Sequence, residues 1–138
     1  MTARFKNRLA IGLLQFFVFF FCIAISADAS QATHDGGRVL FISSYSYAWN
    51  TVQMQIEGIE DGLGENIVLD YEFMNTKRLD TAESRQLFYD RLEYMFSVLE
   101  PYDVIILGDD AALQFALEHR DTLFKDIPMV FEGINDEE

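Results

Sequence analysis

The chain has 138 residues, is 50% hydrophobic and 14% aromatic, and carries a net charge of −13 from 10 basic and 23 acidic residues. That composition suffices for the packed core of one domain and excludes intrinsic disorder, while the acidic excess excludes nucleic acid and anionic membrane surfaces as partners, since both need basic charge. Cys22 is the only cysteine, and His34 and His119 show no metal-ligand spacing, so neither an intrachain disulfide nor a zinc site is expected.

Arg4, Lys6 and Arg8 precede an apolar run from Leu9 to Ile25, and Ala27, Asp28 and Ala29 form an A-x-A pattern before Ser30. These are the three parts of a secretory signal peptide over residues 1–29, cleaved after Ala29. The competing reading is an uncleaved anchor at residues 9–25, because that run lies at the lower limit for spanning a bilayer. Either way the remaining chain is periplasmic or secreted, and it touches a membrane only through the leader. Cleavage would remove three basic residues against one acid and leave the chain more acidic still. Residues 30–37 read as a short flexible lead.

Arg38 to Ser43 is continuously apolar inside, as a strand covered on both faces must be. A loop from Ser43 to Trp49, rich in hydroxyls and aromatics, follows it. Asn50 and Gln53 have the spacing of a capping box, and Val52, Ile56, Ile59 and Leu63 share one face of the next helix, which Gly62 and Gly64 close. Ile67 to Met74 alternates instead, with Ile67, Leu69, Tyr71 and Phe73 set against Val68, Asp70, Glu72 and Met74, which predicts a half-exposed edge strand. Lys77 and Arg78 follow and are read as a solvated basic pair, with a contact from one of them to a ligand carboxylate as the alternative. Asp80 with Glu83 offers another capping box, and Phe88, Leu92, Met95, Phe96 and Leu99 trace the buried face of a long helix ending before Pro101.

Val104 to Leu107 is a second continuously apolar strand, ended by Gly108. Asp109 and Asp110 stand at the N-cap of a helix whose buried face is predicted to be Leu113, Ala116 and Leu117, with His119 and Arg120 as favourable positive charge in its last turn. Met129 to Phe131 is the fourth strand, and Gly133, Ile134 and Asn135 turn at its carboxyl end. The order β-α-β-α-β-α-β with right-handed crossovers gives an α/β doubly wound parallel sheet, spatial order 2-1-3-4, with the switch point between strands one and three. No helix follows the fourth strand to cover its second face, so the chain is expected to be part of a larger fold rather than a finished domain.

Ligands of such sheets bind beyond the carboxyl ends of the strands. There Ser43 and Ser44 supply hydroxyls, Tyr45, Tyr47 and Trp49 either pack on the sheet edge or offer aromatic faces to a ligand, and Asp109 or Asp110 offers a partner for an ammonium group, so these carboxylates are read both as helix caps and as ligand contacts. No G-x-G-x-x-G, G-K-[ST] or G-x-S-x-G occurs, which argues against nucleotide binding and against a serine nucleophile.

Taken together, SSYSYAW, NTKRLD and LGDDAALQFALEHRDTLFKDIPMVFEGIN behind a signal peptide resemble the extracytoplasmic substrate-binding proteins of ABC transporters. The likeness is greatest to the branch that also supplies sensor domains of bacterial histidine kinases and diguanylate cyclases, and it covers essentially all of Arg38 to Asn135. In that family two Rossmann-like lobes close on a ligand. The resemblance implies that residues 38–138 are the first lobe alone, with Ser44, Tyr45, Trp49, Asp109 and Asn135 lining its cleft.

The expectation is a non-enzymatic binding module for a small amine, amino acid or similar solute, with no catalytic residue, no cofactor and no metal. Its partners would be an ABC permease or a membrane sensor kinase. Alternatives are a sensor domain of a histidine kinase or diguanylate cyclase, a truncated inactive gene product, and a flavodoxin-like or hydrolase enzyme using Asp109 and Asp110.

Overall fold

The structure is a computed structural model and describes residues 36–135. The signal peptide, the anchor alternative and most of the lead therefore lie outside the described residues. Four strands, β1 (Arg38–Ser43), β2 (Val68–Phe73), β3 (Val104–Gly108) and β4 (Met129–Glu132), alternate with three helices, α1 (Asn50–Gly62), α2 (Ala82–Val98) and α3 (Asp110–Glu118). All pairings are parallel, in the order β2-β1-β3-β4, so the fold is a small Rossmann-like α/β lobe. The register sets Ser43 level with both Phe73 and Gly108, and Gly108 level with Glu132, which brings four strand ends to one edge.

Strand alternation divides the core into two layers. Leu40, Ile42, Ile105 and Leu107 face α2 and α3, where Phe88, Leu92, Phe115 and Phe124 complete a large aromatic cluster. Phe41 faces the other way, against Val52 and Ile56 of α1, with Leu69, Tyr71, Phe73 and Ile106 around them. Among the described residues, α1 is the helix that covers that second layer. At its far side Val130 of β4 is 51% exposed, and Phe131 beside it is 61% exposed.

Gly108 lies against the Phe41 ring at the end of β3. A Cβ there would stand 2.9 Å from the Phe41 ring, so a larger residue would force that buried ring to shift.

The edge position of β2 follows the expected alternation, but its polar face is engaged rather than solvated. Asp70 accepts from Arg38 Nη2 at 2.6 Å and from the Tyr102 hydroxyl at 2.8 Å, and Glu72 pairs with Arg91 of α2. On the α1 side the Tyr71 hydroxyl donates to Glu60 at 2.5 Å. Burial and that carboxylate push the Tyr71 phenol up to about 12, and burial with the Asp70 bond does the same to Tyr102.

Several helix-end expectations are corrected. Asn50 is the first residue of α1, not its cap. Trp49 holds the N-cap position without a side-chain bond, while Gln53 reaches back to the Tyr47 carbonyl at 3.0 Å. The reciprocal capping box of α2 forms one residue later than predicted, between Thr81 and Ser84. Asp80 is drawn away into a two-point pair with Arg85, which holds its carboxyl below the usual range. At the end of α1 neither Gly62 nor Gly64 has positive φ; Leu63 closes the helix in extended conformation, its N–H bonded to Ile59.

In α3 the buried face is Ala112, Phe115 and Ala116, whereas the predicted Leu117 is 61% exposed. The large Phe115 ring claims the core and rotates the helix accordingly. His119 is not a free helix-end charge: its ring packs edge-on against Tyr89 and Phe115, 4.7 and 4.6 Å between centroids. Leu99, expected on the buried face of α2, is its exposed C-cap.

Candidate functional site

The loops after β1 and β3 meet at the carboxyl edge, as the switch-point argument requires. Ser44 ties them together. Its N–H donates to the Gly108 carbonyl at 2.9 Å, its Oγ donates to the same carbonyl at 2.9 Å, and that Oγ also accepts from the N–H of Ala112 at 2.8 Å. The first turn of α3 is therefore capped by a residue from β1's end, not by Asp109. Ser43 Oγ accepts from the Tyr45 N–H at 3.3 Å, and both serines are fully buried. Their hydroxyls hold the frame under the cleft and have no surface in it.

Freed from capping, Asp109 takes an unusual backbone conformation, φ 68 and ψ 171, with its N–H bonded to the Glu132 carbonyl at 3.0 Å. This region is nearly reserved for glycine, and holding another residue there costs about 1–3 kcal/mol. The strain aims the side chain across β4. Asp109 Oδ1 and Gln55 Nε2 flank Gly133, whose own φ is +67 and where a Cβ would stand 3.3 and 3.2 Å from those atoms.

Around this point lie buried oxygens with no donor: Asp109 Oδ2, Gln55 Oε1 and Glu132 Oε1. An oxygen in that condition is costly until something donates to it. Burial raises the Asp109 carboxyl above the ordinary value; the Gln55 side chain opposes this, Asp110 adds to it, and Lys77 opposes it. Glu132 is raised too, by burial and then by the charge of Asp109. Two neighbouring carboxyls that both resist ionisation define a site with acceptor oxygens in excess and cations in deficit. Beside them an open depression of about 540 Å³ is lined by Thr51, Met54, Gln55, Gly58, Ile59 and Glu132.

The other expected residues gather round Asp109. Asp110 accepts the Asn135 N–H at 3.1 Å, which draws the turn after β4 toward α3, and the Asn135 amide contacts the Gly133 carbonyl at 3.5 Å. Tyr45 is within reach of the same charges, its phenol raised by burial first and then by Asp109 and Asp110. Tyr45 and Trp49 form a tilted ring pair with centroids 6.3 Å apart, and Tyr47 packs instead on Phe73. Lys77 is exposed, as expected of a solvated cation, and its ammonium also sits over both rings of that pair.

Sequence reasoning missed Gln55 and Glu132. Glu132 was open to discovery, since it ends the strand paired with β3. Gln55 carried no signal, as its position facing the edge depends on how α1 packs. Among the described residues no group of three or more His, Cys, Asp or Glu side chains is placed to hold a metal ion, and no helix is long and apolar enough to cross a membrane. Compared with known proteins, the chain matches no family profile, no curated sequence and no solved structure.

Proposed function

We propose that this lobe is a non-enzymatic, extracytoplasmic binding module for a small amine or amino acid, exported by its signal peptide and serving an ABC permease or a membrane sensor kinase. The observation that carries the ligand class is the set of buried, undonated oxygens on Asp109, Gln55 and Glu132, held by a strained residue at the edge where such sheets bind ligands. An ammonium group supplies three donors and a positive charge, which is what those oxygens lack. The net charge of −13 works in the same direction, repelling simple anions and drawing in cations at long range. The cleft and motif resemblance to substrate-binding proteins favours capture and release over chemistry.

The test is calorimetric titration of the protein and of Asp109→Asn against a library of amines, amino acids, phosphate and dicarboxylates. Loss of the charged acceptor should weaken an amine ligand by about 1.5–3 kcal/mol, or roughly tenfold to 150-fold. Equal affinity in the two proteins, or tight binding of phosphate or dicarboxylates alone, refutes the reading. Export is checked separately by N-terminal sequencing of the mature protein, expected to begin at Ser30.

A further inference from the structure

Lys77 Nζ stands 4.3 Å from the centroid of the Tyr45 ring and 4.3 Å from that of Trp49. The two rings are inclined at 49°, so they form two walls of a cage with one cation between them. Aromatic faces attract cations through the ring quadrupole, and a cage of this kind is the usual receptor for organic ammonium ions.

The backbone brings Lys77 there by a built turn. Asn75 adopts φ 58, the amides of Arg78 and Leu79 return to its carbonyl, and Thr76 anchors to the Ser44 carbonyl through N–H at 2.9 Å and Oγ1 at 2.8 Å. Lys77 is thus hung from the end of β1, the strand that leads into Tyr45. Trp49 is 44% exposed, so the cage is open to a cation from solution. Lys77 also lies within electrostatic range of Asp109.

We propose that Tyr45 and Trp49 form an ammonium-binding subsite whose resting occupant is the chain's own Lys77, and that an organic ammonium ligand binds by displacing it. The proposal rests on the amine reading above and adds a specificity and a competitor to it. A lysine ammonium is compact and strongly hydrated and gives up solvent reluctantly. A methylated ammonium holds its water more weakly and offers more surface to the rings, so methylated amines are the preferred class. Lys77 sets the threshold: the ligand's apparent affinity is reduced by the fraction of time the cage is filled from within.

The experiment uses tetramethylammonium chloride as the probe, with sodium chloride at matched ionic strength as the blank. Trp49 is the only tryptophan, so its emission reports the cage directly, and calorimetry gives the affinity. Lys77→Ala and Lys77→Gln should each bind the probe about threefold to tenfold more tightly than the unmodified chain, with Trp49 emission responding in step. Circular dichroism melts of both variants should be unchanged, because Lys77 is exposed. Equal or weaker binding in both variants, or no binding in any protein, overturns the proposal. If Asp109→Asn weakens amines while the Lys77 variants gain nothing, the amine reading stands and the displacement idea falls. If the Lys77 variants gain affinity while Asp109→Asn loses none, the cage stands and the acidic-edge reading falls.

Discussion

Ser44→Ala tests whether the edge of the sheet is held as described. Ser44 is fully buried, and its Oγ accepts from Ala112 N at 2.8 Å across 68 residues of sequence while donating to Gly108 O at 2.9 Å. Removing the hydroxyl does not orphan Gly108 O, which keeps the Ser44 N–H at 2.9 Å. The whole deficit falls on one first-turn N–H of α3. Loss of a helix cap costs about 0.5–2 kcal/mol and an orphaned buried donor about 1–3 kcal/mol. Here both figures describe the same group and do not add, so the expected loss is about 2 kcal/mol. For a unit of this size that lowers Tm by about 8–16 °C. Urea unfolding followed by far-UV dichroism and Trp49 emission measures it, with Ser97→Ala as the control. The Ser97 hydroxyl bonds to Tyr94 O at an exposed site, and its loss should stay within about 0.5 kcal/mol. A loss for Ser44→Ala no larger than the control's, at unchanged denaturant dependence, would refute the cross-strand cap.

Two further outcomes follow from strain and burial. Asp109→Gly should stabilise the ligand-free protein by about 1–2 kcal/mol, since glycine adopts φ 68, ψ 171 without penalty, while abolishing amine binding; a destabilised variant refutes the strain assignment. The gain should grow as pH rises through the carboxylate range, because a carboxyl raised in the folded state binds its proton more tightly folded than unfolded, and that contribution is lost on ionisation. At the alkaline end, Tyr71 and Tyr102, both pushed to about 12, should remain un-ionised above pH 10 in the folded chain, so stability falls between about pH 10 and 12. Ultraviolet titration in which all six tyrosines ionise together near pH 10, without unfolding, contradicts it.

The strand order was legible because burial leaves a period in the sequence. Leu40 to Ile42 and Val104 to Leu107 are apolar on both sides, as inner strands are, and Leu69, Tyr71 and Phe73 alternate with Asp70 and Glu72, as an edge strand does. What was not legible is what depends on contacts between distant segments. A local rule assigns an aspartate before a helix to capping, and it fails at Asp109 because Ser44 arrives from β1 and takes the position. The rule also fails at Asn50 and Asp80, yet with a different result. There a nearby group makes up the difference: Gln53 reaches Tyr47, and Arg85 takes Asp80. At Asp109 the repair is partial, since the Gln55 side chain bonds to the carboxyl without relieving the rest. Its backbone is strained, its Oδ2 has no donor, and the oxygens of Gln55 and Glu132 beside it share that condition. Among the described residues, three of the four buried side-chain atoms without a partner lie together at this edge, where the fold gives up stability. A bound ammonium would supply the missing donors, while Lys77, a cation within electrostatic range of Asp109, is held by Tyr45 and Trp49.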